Sequence, residues 1–151
     1  MDEFKQRNFL QANPGEPRIG IEPLPARIAW QLRAEIASRL KVSPEDNGLA
    51  IVAAIRDRGV RVAGYNAESD AFDLHATITS LDLRCSVILF VNWYRFDALD
   101  VVAASELSRR FSDIWYPSAD DIEVFDSSCD WLLSIMHTGD VLLTRTPLTP
   151  V

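Results

Sequence analysis

Cys85-Ser86-Val87-Ile88-Leu89-Phe90-Val91-Asn92-Trp93-Tyr94 is an uncharged stretch dominated by β-branched and aromatic side chains. Such residues suit a pleated, enclosed surface. Both alternating sets are apolar, so the segment predicts a central strand covered on both faces. Downstream, Ile122 to Phe125 and Trp131 to His137 predict two more strands. Thr138-Gly139-Asp140 then predicts a turn into a returning strand over Val141 to Thr144. Upstream, Val60 and Val62 begin a strand. Leu74, Ala76 and Ile78 alternate with His75, Thr77 and Thr79, the pattern of a half-buried strand.

Helical spacing governs other parts of the chain. Ile28, Leu32, Ile36 and Leu40 recur every four residues behind Pro25, which suits a first helical turn. Ser43-Pro44-Glu45-Asp46 predicts a second helix start and Gly59 its stop, and the apolar run Leu49 to Ile55 between them predicts a mostly buried helix. Asp100 is placed to cap a third helix carrying Val101, Ala104, Leu107, Phe111 and Trp115. Pro14, Gly15, Pro17, Gly20 and Pro23 predict an irregular N-terminal arm over residues 1–23. This order of elements implies an α+β fold, with helices packed on one face of a largely antiparallel sheet of about five or six strands. No repeat, linker or low-complexity tract divides the chain, so residues 1–151 read as a single α+β domain.

The chain has 151 residues, 48% of them hydrophobic and 25% charged, enough to build a core without metals or disulfides. Its two cysteines, Cys85 and Cys129, form no C-x-x-C pair and have no histidine at ligand spacing. Cys85 is expected to be buried and inert, and Cys129, beside Ser127 and Ser128, to be exposed in a turn. The charged start Met1-Asp2-Glu3-Phe4-Lys5-Gln6-Arg7 lacks the apolar stretch of a secretory signal, and the run Val87 to Val91 is far too short to span a bilayer. A cytoplasmic location with no membrane partner is the expectation.

Net charge is −7 and unevenly spread. Residues 1–61 hold ten Lys/Arg against eight Asp/Glu, whereas residues 62–151 hold five against fourteen. Asp113, Asp120, Asp121, Glu123, Asp126 and Asp130 occur with no Lys or Arg between them. A field of that sign repels phosphate backbones and attracts a basic protein, so nucleic-acid binding is disfavoured.

Motifs for chemistry are sparse. His75-Ala76-Thr77-Ile78 matches one half of the two-histidine phosphoesterase pattern, but at His137-Thr138-Gly139 the required Ser or Thr is Gly139. There is no G-x-S-x-G elbow, no glycine-rich phosphate loop and no calcium-loop rhythm around Asp120, Asp121 and Glu123. No catalytic residue, metal ligand or cofactor is assigned from the sequence. Trp115-Tyr116-Pro117-Ser118-Ala119-Asp120-Asp121 sets two aromatics beside an acidic pair, as in an interface anchor. It is equally the pattern of a helix ending inside the core. Trp30, off the apolar line of its helix, is a weaker candidate for exposed contact.

The segment Phe111 to Pro117, then Asp120 to Asp126, Trp131 to Ile135 and His137-Thr138-Gly139, resembles small bacterial proteins, among them immunity proteins of polymorphic toxin systems. In those systems a small acidic α+β domain neutralises a toxin. The resemblance covers about the last 40 residues. The leading expectation is therefore a non-catalytic protein-binding domain that occludes a basic toxin domain, using Asp113, Trp115, Tyr116, Asp120, Asp121, Glu123 and Asp126. A hydrolase assembled around His75 and His137 is the first alternative. A structural or self-associating domain is the second.

Overall fold

In the computed structural model, which describes residues 1–84 and 86–146, one seven-stranded sheet carries the fold. Chain order is α1 (Glu3–Ala12), β1 (Ile21–Pro23), α2 (Ala26–Leu40), α3 (Gly48–Arg58), β2 (Val60–Arg61), α4 (Leu74–Ser80), β3 (Ile88–Asn92), β4 (Leu99–Ala103), α5 (Ala104–Arg109), α6 (Phe111–Ile114), β5 (Ile122–Phe125), β6 (Trp131–Ile135) and β7 (Val141–Arg145). The strands lie in the order β1-β4-β3-β5-β6-β7-β2, and each neighbouring pair is antiparallel. The class is α+β. The sheet has seven strands where five or six were expected: β2 stands where Val60 and Val62 place a strand, while the short edge strand β1 carries no periodic signal of its own and β4 occupies residues expected to begin a helix at Asp100.

β3, β5 and β6 occupy the middle of the sheet, as their apolar sequences predict. Successive side chains on a strand point to opposite faces. Phe90, Phe125 and Leu132 accordingly pack with Ile36, Leu40, Ile51 and Ile55 of α2 and α3. Leu89, Val91, Val124 and Leu133 pack with Phe9 of α1, Leu74 and Ile78 of α4, Leu107 of α5, and Phe111 and Ile114 of α6. Helices therefore cover both faces, which corrects the expected one-sided packing. A strand apolar on both sides must be sheltered on both. Cys85, where the strand was expected to begin, lies outside the described residues.

Four local expectations are also corrected. Residues 3–12 are helical: the glycines and prolines of the arm begin only at Pro14, so they mark the end of α1, where the Asn13 N–H donates to Phe9 O at 2.9 Å. Residues 74–80 form a helix in place of a strand. Asp73 Oδ1 accepts the Ala76 N–H at 3.0 Å, and Leu74, Thr77 and Ile78, spaced three and four apart, are the buried set. Asp100 is not a helix cap but a buried residue of β4. It accepts a hydrogen bond from Trp93 Nε1 at 2.6 Å and pairs with the Met1 amino group. α3 starts at Gly48, with Asn47 Oδ1 accepting the Leu49 N–H at 3.0 Å, while Ser43 to Asp46 form a turn. A Cβ at Gly48 would overlap the Arg95 carbonyl oxygen, so the helix can begin there only on glycine. Leu49, Ala50 and Ala53 are exposed, so α3 buries one stripe and not most of its circumference.

Pro25 and Gly59 do bound α2 and α3 as expected. The β6–β7 turn closes at Gly139, whose φ of +81° is costly for any residue with a Cβ. No helix among the described residues is long and apolar enough to cross a membrane.

Candidate functional site

The acidic residues singled out between 113 and 130 are not gathered on one outward patch. Asp113 is half-buried, 3.5 Å from the Arg110 guanidinium. Asp120 pairs with Lys5 of α1 and accepts the Tyr116 N–H at 2.6 Å. Arg56 of α3 reaches Asp121 and Glu123, both at 3.1 Å. Asp126 is buried and accepts from the Ser128 N–H at 3.0 Å and the Ser128 hydroxyl at 2.5 Å. Asp130 pairs with Arg39 of α2 at 2.7 Å. Cations from the first three helices thus neutralise much of this stretch from inside.

The aromatics there are also committed to folding. Trp115 is 2% exposed, stacks on Phe111 with ring centroids 5.5 Å apart, and donates from Nε1 to Asp120 O at 3.0 Å. Tyr116 is half-buried beneath the Lys5 ammonium, 4.0 Å from its ring centroid. Trp30 does remain 43% exposed on α2.

Around Arg56 the polar groups form a connected network. Glu123 is fully buried, its second oxygen taking the Asn92 Nδ2 donor at 2.5 Å, with Asn92 its register partner on β3. Burial pushes the Glu123 carboxyl above its ordinary range, while Arg56 and Asn92 pull the other way. Asp121 is likewise disfavoured as an anion by burial. The His137 N–H at 2.7 Å, the His137 ring and Arg56 outweigh that burial, and Asp121 is held below its ordinary value. Such a network locks α3 to β5 and to the turn after β6.

Its chemistry does not extend to the other histidine. His137 is tied through Asp121 to Arg56 of α3, on one face of the sheet, while His75 stands exposed on α4, whose apolar side packs on the opposite face. His75 lines the groove described next, and His137 is not among that groove's lining residues. Cys129, expected to be exposed, is buried, and its thiol is pushed up to about 11 by that burial, away from nucleophilic use. No group of three or more metal-ligating side chains forms among the described residues.

A larger concavity lies on the α4 side. A groove of about 870 Å³ runs between the loop 67–73 with the start of α4 and the α5–α6 segment. Phe72, Phe111 and Trp115 form its aromatic floor, with Phe72 and Phe111 centroids 5.1 Å apart. Ser105, Ser108 and Ser112 line the helical wall, and the buried Ser108 hydroxyl has no hydrogen-bond partner among the described residues. Glu68, Asp70 and Asp73 line the other wall; all three are exposed and none has a cationic partner within 4.0 Å among the described residues. The one cation on the rim, Arg109, is already paired with Glu106 at 2.5 Å.

The loop that builds this wall is ordered from the sheet. The Ala67 N–H donates to Gly139 O at 2.8 Å, and Asn66 Oδ1, which accepts the Glu68 N–H at 2.9 Å, occupies the space a Cβ at Gly139 would need. The glycine read from sequence as a hairpin turn therefore also seats the acidic wall. These acids were not among the expected site residues although the sequence carries a signal for them: Glu68, Asp70, Asp73 and Asp82 occur with no Lys or Arg between Arg61 and Arg84.

Comparison of the chain with protein families, curated proteins and solved structures finds no match.

Proposed function

We propose that the chain is a non-catalytic protein-binding domain and that the groove between loop 67–73 and α5–α6 receives a basic segment of its partner. One observation carries this reading: three exposed carboxylates without cationic partners among the described residues stand over an aromatic floor in a groove of about 870 Å³. Carboxylates that already have a cation gain little from a second one. Glu68, Asp70 and Asp73 retain their full attraction for a partner, and in a concave, partly apolar setting that attraction is stronger than on open surface. Phe72, half-buried at the groove, offers apolar area for the stems of Arg or Lys, which bury their methylenes while the charge seeks the rim.

The immunity-type reading is one form of this function, with a basic toxin domain as the partner. Its support is the resemblance of residues 111–139; the aromatics and acids that carry that resemblance serve largely internal packing and pairing here. Co-expression with the product of the neighbouring gene tests that form: neutralisation of a toxic, basic product supports it, and an acidic or harmless product counts against it.

The groove itself is tested with a hexa-arginine peptide titrated into the full chain at low and moderate salt. Glu68→Gln with Asp70→Asn is expected to weaken binding roughly tenfold and to flatten its salt dependence. Equal affinity and equal salt dependence in the variant overturn the assignment.

A further inference from the structure

Lys5 is a buried cation in an unusual setting. Its side chain is 2% exposed, its ammonium donates to Ile114 O at 2.6 Å and it pairs with the Asp120 carboxylate. Three aromatic rings surround it, with centroids 4.0 Å away at Tyr116, 5.3 Å at Trp93 and 5.6 Å at Phe4. An ammonium held against several ring faces and one carboxylate is the arrangement by which proteins recognise cationic ligands.

The walls of this site do not depend on the lysine that fills it. Trp93 follows β3, Ile114 ends α6, and Tyr116 and Asp120 lie in the turn before β5; Phe4 alone shares α1 with Lys5. Within that turn, Asp120 accepts the Tyr116 N–H at 2.6 Å and its carbonyl accepts Trp115 Nε1 at 3.0 Å. The receptor is thus pre-organised by its own hydrogen bonds. Beside Lys5, an opening of about 340 Å³ lined by Asp2, Trp93, Tyr94, Ala119, Asp120 and Asp121 leads in from solvent.

α1, which delivers Lys5, is the least apolar of the long helices in its seating. Its buried residues are Lys5, Gln6 and Phe9, and Gln6 is held by polar contacts, its amide donating to Ile19 O at 2.7 Å and accepting the Ile19 N–H at 3.1 Å. α3 by contrast buries Ile51, Val52 and Ile55 in the core. Polar contacts exchange readily for equivalent ones, whereas an apolar seat has no substitute in water.

We propose that Tyr116, Trp93, Asp120 and the Ile114 carbonyl form a lysine-binding site, that Lys5 fills it as an internal stand-in, and that a lysine of a partner protein takes its place and releases α1. The site is separate from the groove and stands without it, although both share one turn: Trp115 lines the groove and Tyr116 the lysine.

The test uses the full chain with a hexalysine peptide, reading affinity by calorimetry and the exposure of α1 by hydrogen exchange at residues 5–12. At saturation the peptide is expected to speed exchange across α1 in the wild type. Lys5→Ala, which has no occupant to displace, is expected to bind the peptide about tenfold more tightly than wild type. Asp120→Asn is expected to remove the effect on α1. Should Lys5→Ala fail to fold, Lys5→Met keeps the stem against Tyr116, loses only the ammonium, and is judged by the same comparison. An affinity no higher than wild type, or α1 exchange unchanged at saturation, overturns the proposal. The double variant Glu68→Gln, Asp70→Asn separates the two sites. If it retains the α1 response the lysine site acts independently of the groove, and if it abolishes the response the peptide works through the groove and the lysine site falls.

Discussion

Two acidic stretches of this chain, residues 113–130 and residues 68–73, look alike in composition and differ in what their charges are for. In the first, Asp120, Asp121, Glu123 and Asp130 are bound to Lys5, Arg56 and Arg39, which lie far away in sequence on α1, α3 and α2. Those carboxylates fasten helices to the sheet. In the second, Glu68, Asp70 and Asp73 meet no cation among the described residues and line a groove. The excess of acid in the C-terminal part is therefore partly an internal complement to the balanced N-terminal part. A charge count locates the anions without saying which of them are spent.

Breaking the first stretch should cost stability. Arg56→Ala leaves Glu123 buried with no cation and is expected to destabilise the fold by about 3 kcal/mol, the usual consequence of stripping one partner from a buried pair. Urea unfolding measures it. A loss below about 1 kcal/mol would mean that the pair behaves as an exposed one and that the two stretches differ little.

Gly139→Ala joins the two regions. It forces a Cβ into a residue at φ +81° and against Asn66, so a cost of about 2 kcal/mol is expected, together with weaker hexa-arginine binding as the acidic wall shifts. Intact binding in a destabilised variant would detach the wall from the hairpin.

Acid titration sharpens the comparison further. Asp121 is held below its ordinary 3.8, so the stability it contributes is complete above that value and is lost as the pH falls through the lowered one. Asp121→Asn should accordingly flatten the acid limb of the stability curve. Glu123 runs the other way: its raised value makes its contribution greatest below 4.5 and smaller as the pH climbs from there to the raised value. Glu123→Gln is therefore expected to gain on the wild type as the pH climbs from 4.5 towards the raised value, as thermal melts at a series of pH values would record. A wild type that instead gains on the variant as the pH climbs would reverse the sign assigned to burial.

The smallest stability change belongs to the second stretch. Glu68→Gln with Asp70→Asn should alter unfolding by no more than about 0.5 kcal/mol, because exposed side chains without partners contribute little to folding. A larger loss would mean that these acids, too, hold the fold.

Elements whose signal is local and long are legible in the sequence. The two-faced apolar pattern of Ile88–Asn92, the hairpin glycine Gly139, and Pro25 and Gly59 at helix ends all stand where residue chemistry puts them. Shorter segments were misread for a physical reason. Over Leu74–Ser80, apolar residues at 74 and 78 satisfy both a period of two and a spacing of four, and the Asp73 cap decides for helix. Asp100 has a good capping side chain, but its place between β1 and β3 makes it part of a strand.

What the sequence by itself determined was the class of the fold, the strands at its centre and the sign of its charge, because these follow from side-chain periodicity and composition. Which carboxylates are free was decided only in three dimensions. Arg56 meets Asp121 and Glu123 across 65 and 67 residues, and Lys5 meets Asp120 across 115. Pairings at that separation exist only once the helices have packed on the sheet, because Coulomb attraction falls with distance and leaves no mark on the local pattern of residues.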